Sequence, residues 1–380
     1  MNPLKELSNA GQSPWLDFIR REMLLSGELA RMIREDGLRG MTSNPTIFEK
    51  AIASGTDYDA AIKDLVAAKK TTEEIFDIIS IADIQTACDA FRPVYDQTKG
   101  EDGFVSIEVA PGFARDTQGT IREARRLWKL VDRPNCMVKI PATKEGVPAI
   151  EACLSEGINI NVTLIFSLQR YREVMDAFRR AIEARAASGK SLAVASVASF
   201  FVSRIDAVVD KTLQEKIQSS TSPKEKDQLL ELLGKVAISN AKVAYQEFKK
   251  YFSGVWFEAL KAKGARAQRP LWASTGTKNA HYSDVLYVEE LVGADTVNTI
   301  PPATMDAYRD HGKTRPGAVE TGAAEAREVL EKLKLVKIDL SDVTQKLEDE
   351  GVKLFIDSHD KLMSGLTAKK ALLEKQLSLK

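Results

Sequence analysis

Residues 137–146 read Met137-Val-Lys-Ile-Pro-Ala-Thr-Lys-Glu-Gly146. The stretch opens as an apparent strand, with Lys139 between Val138 and Ile140. Lysine is depleted in strands, and an ammonium is costly to bury unless it is paired or loses its proton. In a barrel, side chains alternate between the interior and the helix layer. If Val138 and Ile140 face the helices, Lys139 faces the interior near the strand's C-terminal end. Confinement there disfavours the charged form and exposes a nucleophilic amine, which can attack a carbonyl and form a Schiff base. The alternative is a lysine held by an interior carboxylate, because ion-pair networks also occupy buried lysines.

Seven similar apolar runs flank this one, at 15–19, 38–42, 104–109, 158–165, 192–198, 271–275 and 295–300. Between them lie stretches with 3.6-residue periodicity, including 57–70, 115–131 and 168–187. Eight βα units predict an α/β fold with its parallel sheet closed into a (β/α)8 TIM barrel. An open doubly wound sheet usually carries a glycine-rich phosphate turn after an early strand, and none is apparent. Such a barrel takes ~250 residues, whereas the chain has 380. The surplus is expected in a helical insertion at about 205–265, between strands six and seven, and in a helical tail at about 322–380. Within the insertion, runs at 205–217 and 225–252 flank a break at Ser219–Pro223, and alternating Lys and Glu mark a solvated helix face. The tail, with Leu330, Leu333, Leu335 and Leu340, is expected to cap or pack against the barrel. No linker splits the chain, so 1–380 reads as a single domain.

Composition narrows the function. Hydrophobic residues make up 44% and charged ones 28%, as in a globular protein. Fifty-four basic residues balance 54 acidic ones. That argues against nucleic acid as the main partner but permits a local basic patch for a small phosphate. Cys88, Cys136 and Cys153 resemble neither a zinc pair nor a disulfide framework, which fits a reducing compartment. His281, His311 and His359 lie too far apart to suggest a metal site. No apolar run approaches the ~20 residues of a membrane helix, and the N-terminus lacks the apolar core of a signal peptide. No membrane partner and a cytoplasmic location are expected.

Several further segments carry potential chemistry. Gly40–Phe48 places Asn44-Pro45 at a strand's C-terminal end, where barrel active sites are built, although Asn-Pro is also ordinary turn chemistry. Asp17 and Glu108 are carboxylates embedded in apolar strands, fit either for structural pairing or for proton transfer. Asn159, Asn161 and Thr163 alternate with apolar residues and would point inward. Ser196 and Ser199 end the sixth run, ahead of Phe200, Phe201 and Arg204. Arg204 opens a helical stretch and offers a phosphate a guanidinium beside helix N–H groups. Its alternative is pairing with Asp206 or Asp210 on the same helix. Ser274-Thr-Gly-Thr-Lys278 supplies hydroxyls, a flexible glycine and an amine, which suit a phosphate or a plain surface turn equally.

Together these segments resemble the transaldolase family, in its longer bacterial form. Gly40–Phe48 is similar to the family's Asn-Pro signature, and Val138–Gly146 to the segment around its Schiff-base lysine. The resemblance continues through Gly157–Ser167, Val197–Ile205 and Asp295–Pro302, and covers most of 13–305. It implies that Lys139 forms the imine, that Asp17 exchanges the proton of the C4 hydroxyl, and that Glu108 works with Thr163 through a water. It also implies that Asn44, Asn161 and Ser199 hold the dihydroxyacetone part, that Phe201 shapes the pocket and that Arg204 binds phosphate. The implied activity moves dihydroxyacetone between sugar phosphates and needs no metal or cofactor, since the imine stores the electrons. After the seventh strand the pattern departs. Shorter members place Ser-Phe-Arg there, whereas this chain keeps Ser274 and offers Lys278 as the replacement cation. Monomer and homodimer both remain open.

Overall fold

The computed structural model describes residues 2–53 and 55–378. Eight parallel strands close in sequence order into a barrel. They are β1 (Gln12–Asp17), β2 (Gly40–Thr42), β3 (Phe104–Glu108), β4 (Cys136–Pro141), β5 (Ile160–Ile165), β6 (Ser196–Phe201), β7 (Arg269–Ala273) and β8 (Thr296–Ile300). Nearly every strand residue is buried, as expected for a parallel sheet covered on its outer face and filled on its inner one. Closure comes from β1 pairing with β8, Leu16 opposite Ile300. Strand β6 extends to Phe201, three residues past the predicted end, so Ser199 and Phe201 lie within the barrel wall. Strand β1 starts at Gln12, three residues early, and ends on Asp17.

Two close approaches shape the barrel floor. Gly40 stands opposite Trp15, and a Cβ on Gly40 would meet the Trp15 indole at 2.5 Å. Glycine at 40 is therefore what admits a fully buried Trp15. Beneath it, Asp102 ties together the N-terminal ends of β1 and β7. It accepts hydrogen bonds from Ser13 Oγ at 2.6 Å and Trp15 Nε1 at 3.2 Å. It also pairs with Arg269 at 3.0 Å.

The insertion is helical, as expected, but is divided differently. Helices span Ser203–Ser219, Pro223–Leu230, Val236–Phe252 and Val255–Lys261. The run expected at 225–252 is broken before Val236, where Gly234 takes a φ of +68°. Val236–Phe252 is also no solvated helix. Val236, Ala237, Ala241, Ala244, Tyr245 and Phe248 are buried, which makes it part of the layer around the barrel.

The tail forms two helices, Ala323–Leu335 and Leu340–Ser378. The second, 39 residues long, crosses the barrel mouth. It packs on the short helix Pro45–Phe48 after β2, on the helix Ser203–Ser219 after β6, and on β5. Gly351 permits the last contact, since a Cβ there would meet Leu164 Cδ2 at 2.9 Å. The sequence expectation of a cap is met, and the cap lies over the end of the barrel where the strands finish.

Replacing Asp102 by Ala leaves Arg269 without its carboxylate and two donors without an acceptor. We expect a loss of about 3 kcal/mol, measured by urea unfolding, with activity per folded molecule retained because the floor lies opposite the mouth.

Candidate functional site

Three side chains form a row inside the barrel. Glu108, Lys139 and Asn161 are register neighbours on β3, β4 and β5, so they leave the sheet on the same side. Lys139 Nζ lies 3.3 Å from Glu108 Oε2, both side chains being 6% exposed. Nζ also donates to the Ser43 carbonyl at 3.2 Å. Lys139 thus points inward, as its flanking valine and isoleucine implied. The alternative reading of an interior carboxylate partner is realised too. The two are compatible, because the carboxylate beside the amine is also a place to put its proton. Glu108 Oε2 and Thr163 Oγ1 are both buried; among the described residues Thr163 Oγ1 has no protein hydrogen-bond partner, and Glu108 Oε2 has the Lys139 ion pair alone.

Asp17 ends β1, in register with Thr42 on β2. Thr42 Oγ1 lies 2.7 Å from Asp17 Oδ1 and 2.6 Å from Thr299 Oγ1. Asp17 keeps some exposed area toward the mouth, yet the protein packed around it makes burial the main influence on its carboxyl. Burial raises it; Lys139, the Thr42 bond, Arg204 and Lys278 each pull it back. Asp17 thus shares one electrostatic neighbourhood with three cations, Lys139, Arg204 and Lys278. For Glu108, burial pushes the carboxyl up to about 7, Lys139 opposes this, and the Asp17 charge reinforces it.

A polar chain continues around the wall. Ser199 Oγ donates to Asn161 Oδ1 at 2.7 Å, and Asn161 Nδ2 donates to Ser106 Oγ at 3.0 Å. Asn44 begins the helix Pro45–Phe48, and its Oδ1 accepts from the Ile47 amide at 3.0 Å. That capping bond is the turn chemistry expected of Asn-Pro; it occupies the oxygen and leaves the side-chain amide donors. Thr46 Oγ1 meets Ser358 Oγ of the C-terminal helix at 2.8 Å.

Arg204 is half-buried at the mouth, 5.4 Å above the Phe201 ring. Phe201 in turn packs on Phe166 at 5.1 Å. Neither aspartate on the same helix neutralises the guanidinium. Asp206 accepts from Tyr287 Oη and the Ala237 amide, and Asp210 from Tyr282 Oη and the Gly234 amide. Arg204 has no ion-pair partner among the described residues, and burial disfavours its charge. An unpaired, partly desolvated guanidinium is an anion site. Ser274 adopts φ +56°, an uncommon value for serine, and its Oγ lies 3.0 Å from Ser203 Oγ. This bond joins the loop of Lys278 to the helix of Arg204. Lys278 itself is exposed at the rim.

Sequence reasoning missed Thr42, Ser43, Ser106, Thr299 and Phe355. Ser106 precedes Glu108 by two residues, the spacing of one sheet face, so that signal was present. Phe355 carried none. It sits on the C-terminal helix, 5.8 Å from Lys139 Nζ.

Similarity to known proteins extends over nearly the whole chain. A profile of the family described as Transaldolase/Fructose-6-phosphate aldolase matches residues 14–366. The chain is 48% identical over 371 residues to a transaldolase of Trichodesmium erythraeum, covering 97% of each chain. It is 50% identical over 363 residues to a transaldolase of Thermobifida fusca, covering 95% of this chain and 96% of that one. With Transaldolase 2 of a Nostoc species it shares 48% over 377 residues, 98% and 99% of the two chains.

The pairing of Glu108 with Lys139 makes a titration prediction. Lys139→Met removes the charge that opposes burial, so Glu108 is expected to titrate above its value of about 7. Carboxyl infrared or 13C NMR difference spectra, with Glu108→Gln as the assignment control, measure the shift. A downward shift would contradict the assigned balance of burial and charge.

Proposed function

This chain belongs to the transaldolase/fructose-6-phosphate aldolase family and has transaldolase activity, and we propose that Lys139 carries that activity as the Schiff-base nucleophile. The reaction moves dihydroxyacetone from sedoheptulose 7-phosphate to glyceraldehyde 3-phosphate, giving erythrose 4-phosphate and fructose 6-phosphate. The observation that carries the assignment is the buried Lys139 amine beside Glu108. We read the whole of 1–380 as one working domain, because the C-terminal helix covers the same mouth that the strands build.

In this reading Lys139 first passes a proton to Glu108, whose raised affinity for protons suits it to receive one. The neutral amine attacks the C2 carbonyl of the ketose. Glu108 returns the proton to the departing hydroxyl, water leaves, and an iminium forms. Asp17 takes the C4 hydroxyl proton, the C3–C4 bond breaks, and its electrons pass into the iminium to give an enamine. The aldose phosphate departs. An incoming aldose phosphate is attacked by the enamine carbon, and its oxygen recovers the proton from Asp17. Water, held between Glu108 and Thr163, then hydrolyses the new iminium. The buried oxygens of Glu108 and Thr163 supply the two partners such a water needs.

Binding follows the same division. Asn44, Asn161 and Ser199 hold the hydroxyls of the dihydroxyacetone part, and Phe201 forms the apolar wall. Arg204 and Lys278 take the phosphate, with Ser274 fixing the loop between them. Arg204 is the stronger element, since it stands unpaired and partly desolvated, whereas Lys278 is exposed and screened.

Borohydride reduction with fructose 6-phosphate tests the nucleophile. We expect a covalent adduct on Lys139, and loss of the adduct with at least about a thousandfold lower kcat in Lys139→Met. Arg204→Ala is expected to raise KM for phosphorylated substrates about tenfold or more, with a smaller effect on kcat. An unchanged KM removes Arg204 from the phosphate site. Consumption of fructose 6-phosphate at equal rates with and without erythrose 4-phosphate would reject transfer in favour of simple aldol cleavage.

A further inference from the structure

The C-terminal helix brings an apolar side chain to the reacting nitrogen. Phe355 is 5% exposed, and its ring centroid lies 5.8 Å from Lys139 Nζ. The helix is pinned on both sides of this residue. Before it, Glu348 lies 3.4 Å from Arg170, and Asp349 pairs with Arg115. After it, Ser358 meets Thr46 at 2.8 Å, and Lys369 donates to the Gly55 carbonyl at 3.0 Å. Gly351 seats the helix directly on Leu164. Moving this stretch of helix away from Lys139 would break several of these contacts at once. The ring therefore borders the space in which carbons attached to this nitrogen must sit.

The chemistry of that space has two outcomes, and the argument for it rests on the Schiff-base reading of Lys139. The enamine carbon C3 is a nucleophile toward an aldehyde and a base toward any proton donor. Attack on an acceptor completes transfer. Protonation from water instead gives the iminium of dihydroxyacetone; hydrolysis consumes one water, restores the Lys139 amine and releases free dihydroxyacetone. A polar group or a water at the position of Phe355 would favour the second outcome. A phenyl ring donates no proton and displaces water from its own volume. We infer that Phe355 is a specificity-determining residue, whose ring keeps water from the enamine and so reserves it for an acceptor sugar.

The test is the ratio of free dihydroxyacetone released from fructose 6-phosphate without acceptor to transfer onto erythrose 4-phosphate. Phe355→Ala is expected to raise this ratio about tenfold, and Phe355→Leu, which restores an apolar filling, to keep it within about twofold of the parent. In D2O the extra dihydroxyacetone carries one deuterium at the carbon that was C3. A merely structural role would lower both rates together and leave the ratio in place. An unchanged ratio in Phe355→Ala, with the borohydride adduct on Lys139 retained, overturns the inference. If the alanine variant does not fold, Phe355→Gln carries the same expectation, being closer in length but polar, and an unchanged ratio there is equally fatal. Absence of the adduct in the parent protein strikes the Lys139 reading itself, so the two failures are told apart.

Discussion

The structure depends on one buried charge pair. Lys139 and Glu108 stand side by side, buried inside the barrel, and each is the main answer to the other's desolvation. Neither would be stable there alone. The register of β3 against β4 puts them level, so their separation is set by strand spacing rather than by flexible loops. Burial raises the Glu108 carboxyl, which makes it the member of the pair suited to take up a proton. A nucleophilic lysine needs such an acceptor beside it, because only the uncharged amine has a lone pair to give.

The rest of the mouth is organised around charges left without partners. Elsewhere on the surface, arginines pair freely, as Arg20 does with Asp57 and Arg133 with Asp89. Arg204 does not, although two aspartates follow it on its own helix. Both of those are taken up by tyrosines and backbone amides on neighbouring segments. The two tyrosine bonds fasten the segment after β7 to the helix after β6. Satisfying Asp206 and Asp210 elsewhere therefore both frees the guanidinium and steadies the loop of Lys278 beside it.

Much of this was legible in the sequence, for identifiable reasons. A lysine between Val138 and Ile140 has one sensible direction in a closed sheet, and the structure gives it that direction. Asp17 and Glu108 were conspicuous for the same reason, as ionisable groups in apolar strands. What escaped were features that depend on contact across the chain. Thr42 and Thr299 are ordinary strand residues until the barrel closes and sets them against each other and Asp17. The break before Val236 turns on the backbone of Gly234, while the apolar face of the following helix was masked by its interspersed lysines. Phe355 is the single phenylalanine of a helix that holds no tyrosine or tryptophan, and the helix's own periodicity says only that some face is buried. Its nearness to Lys139 follows from where that helix is laid.

The order of segments along the chain has a consequence for biosynthesis. The two edges that must meet to complete the cylinder, β1 and β8, are the first and last strands to leave the ribosome, and the roof follows even later. Such long sequence separations make closure slow relative to local helix formation. A growing polypeptide thus holds its lysine, and the carboxylates around it, in an unsealed and hydrated half-cylinder until β8 and the C-terminal helix have been made. The sealed, low-dielectric setting arrives only once that helix is laid across the mouth.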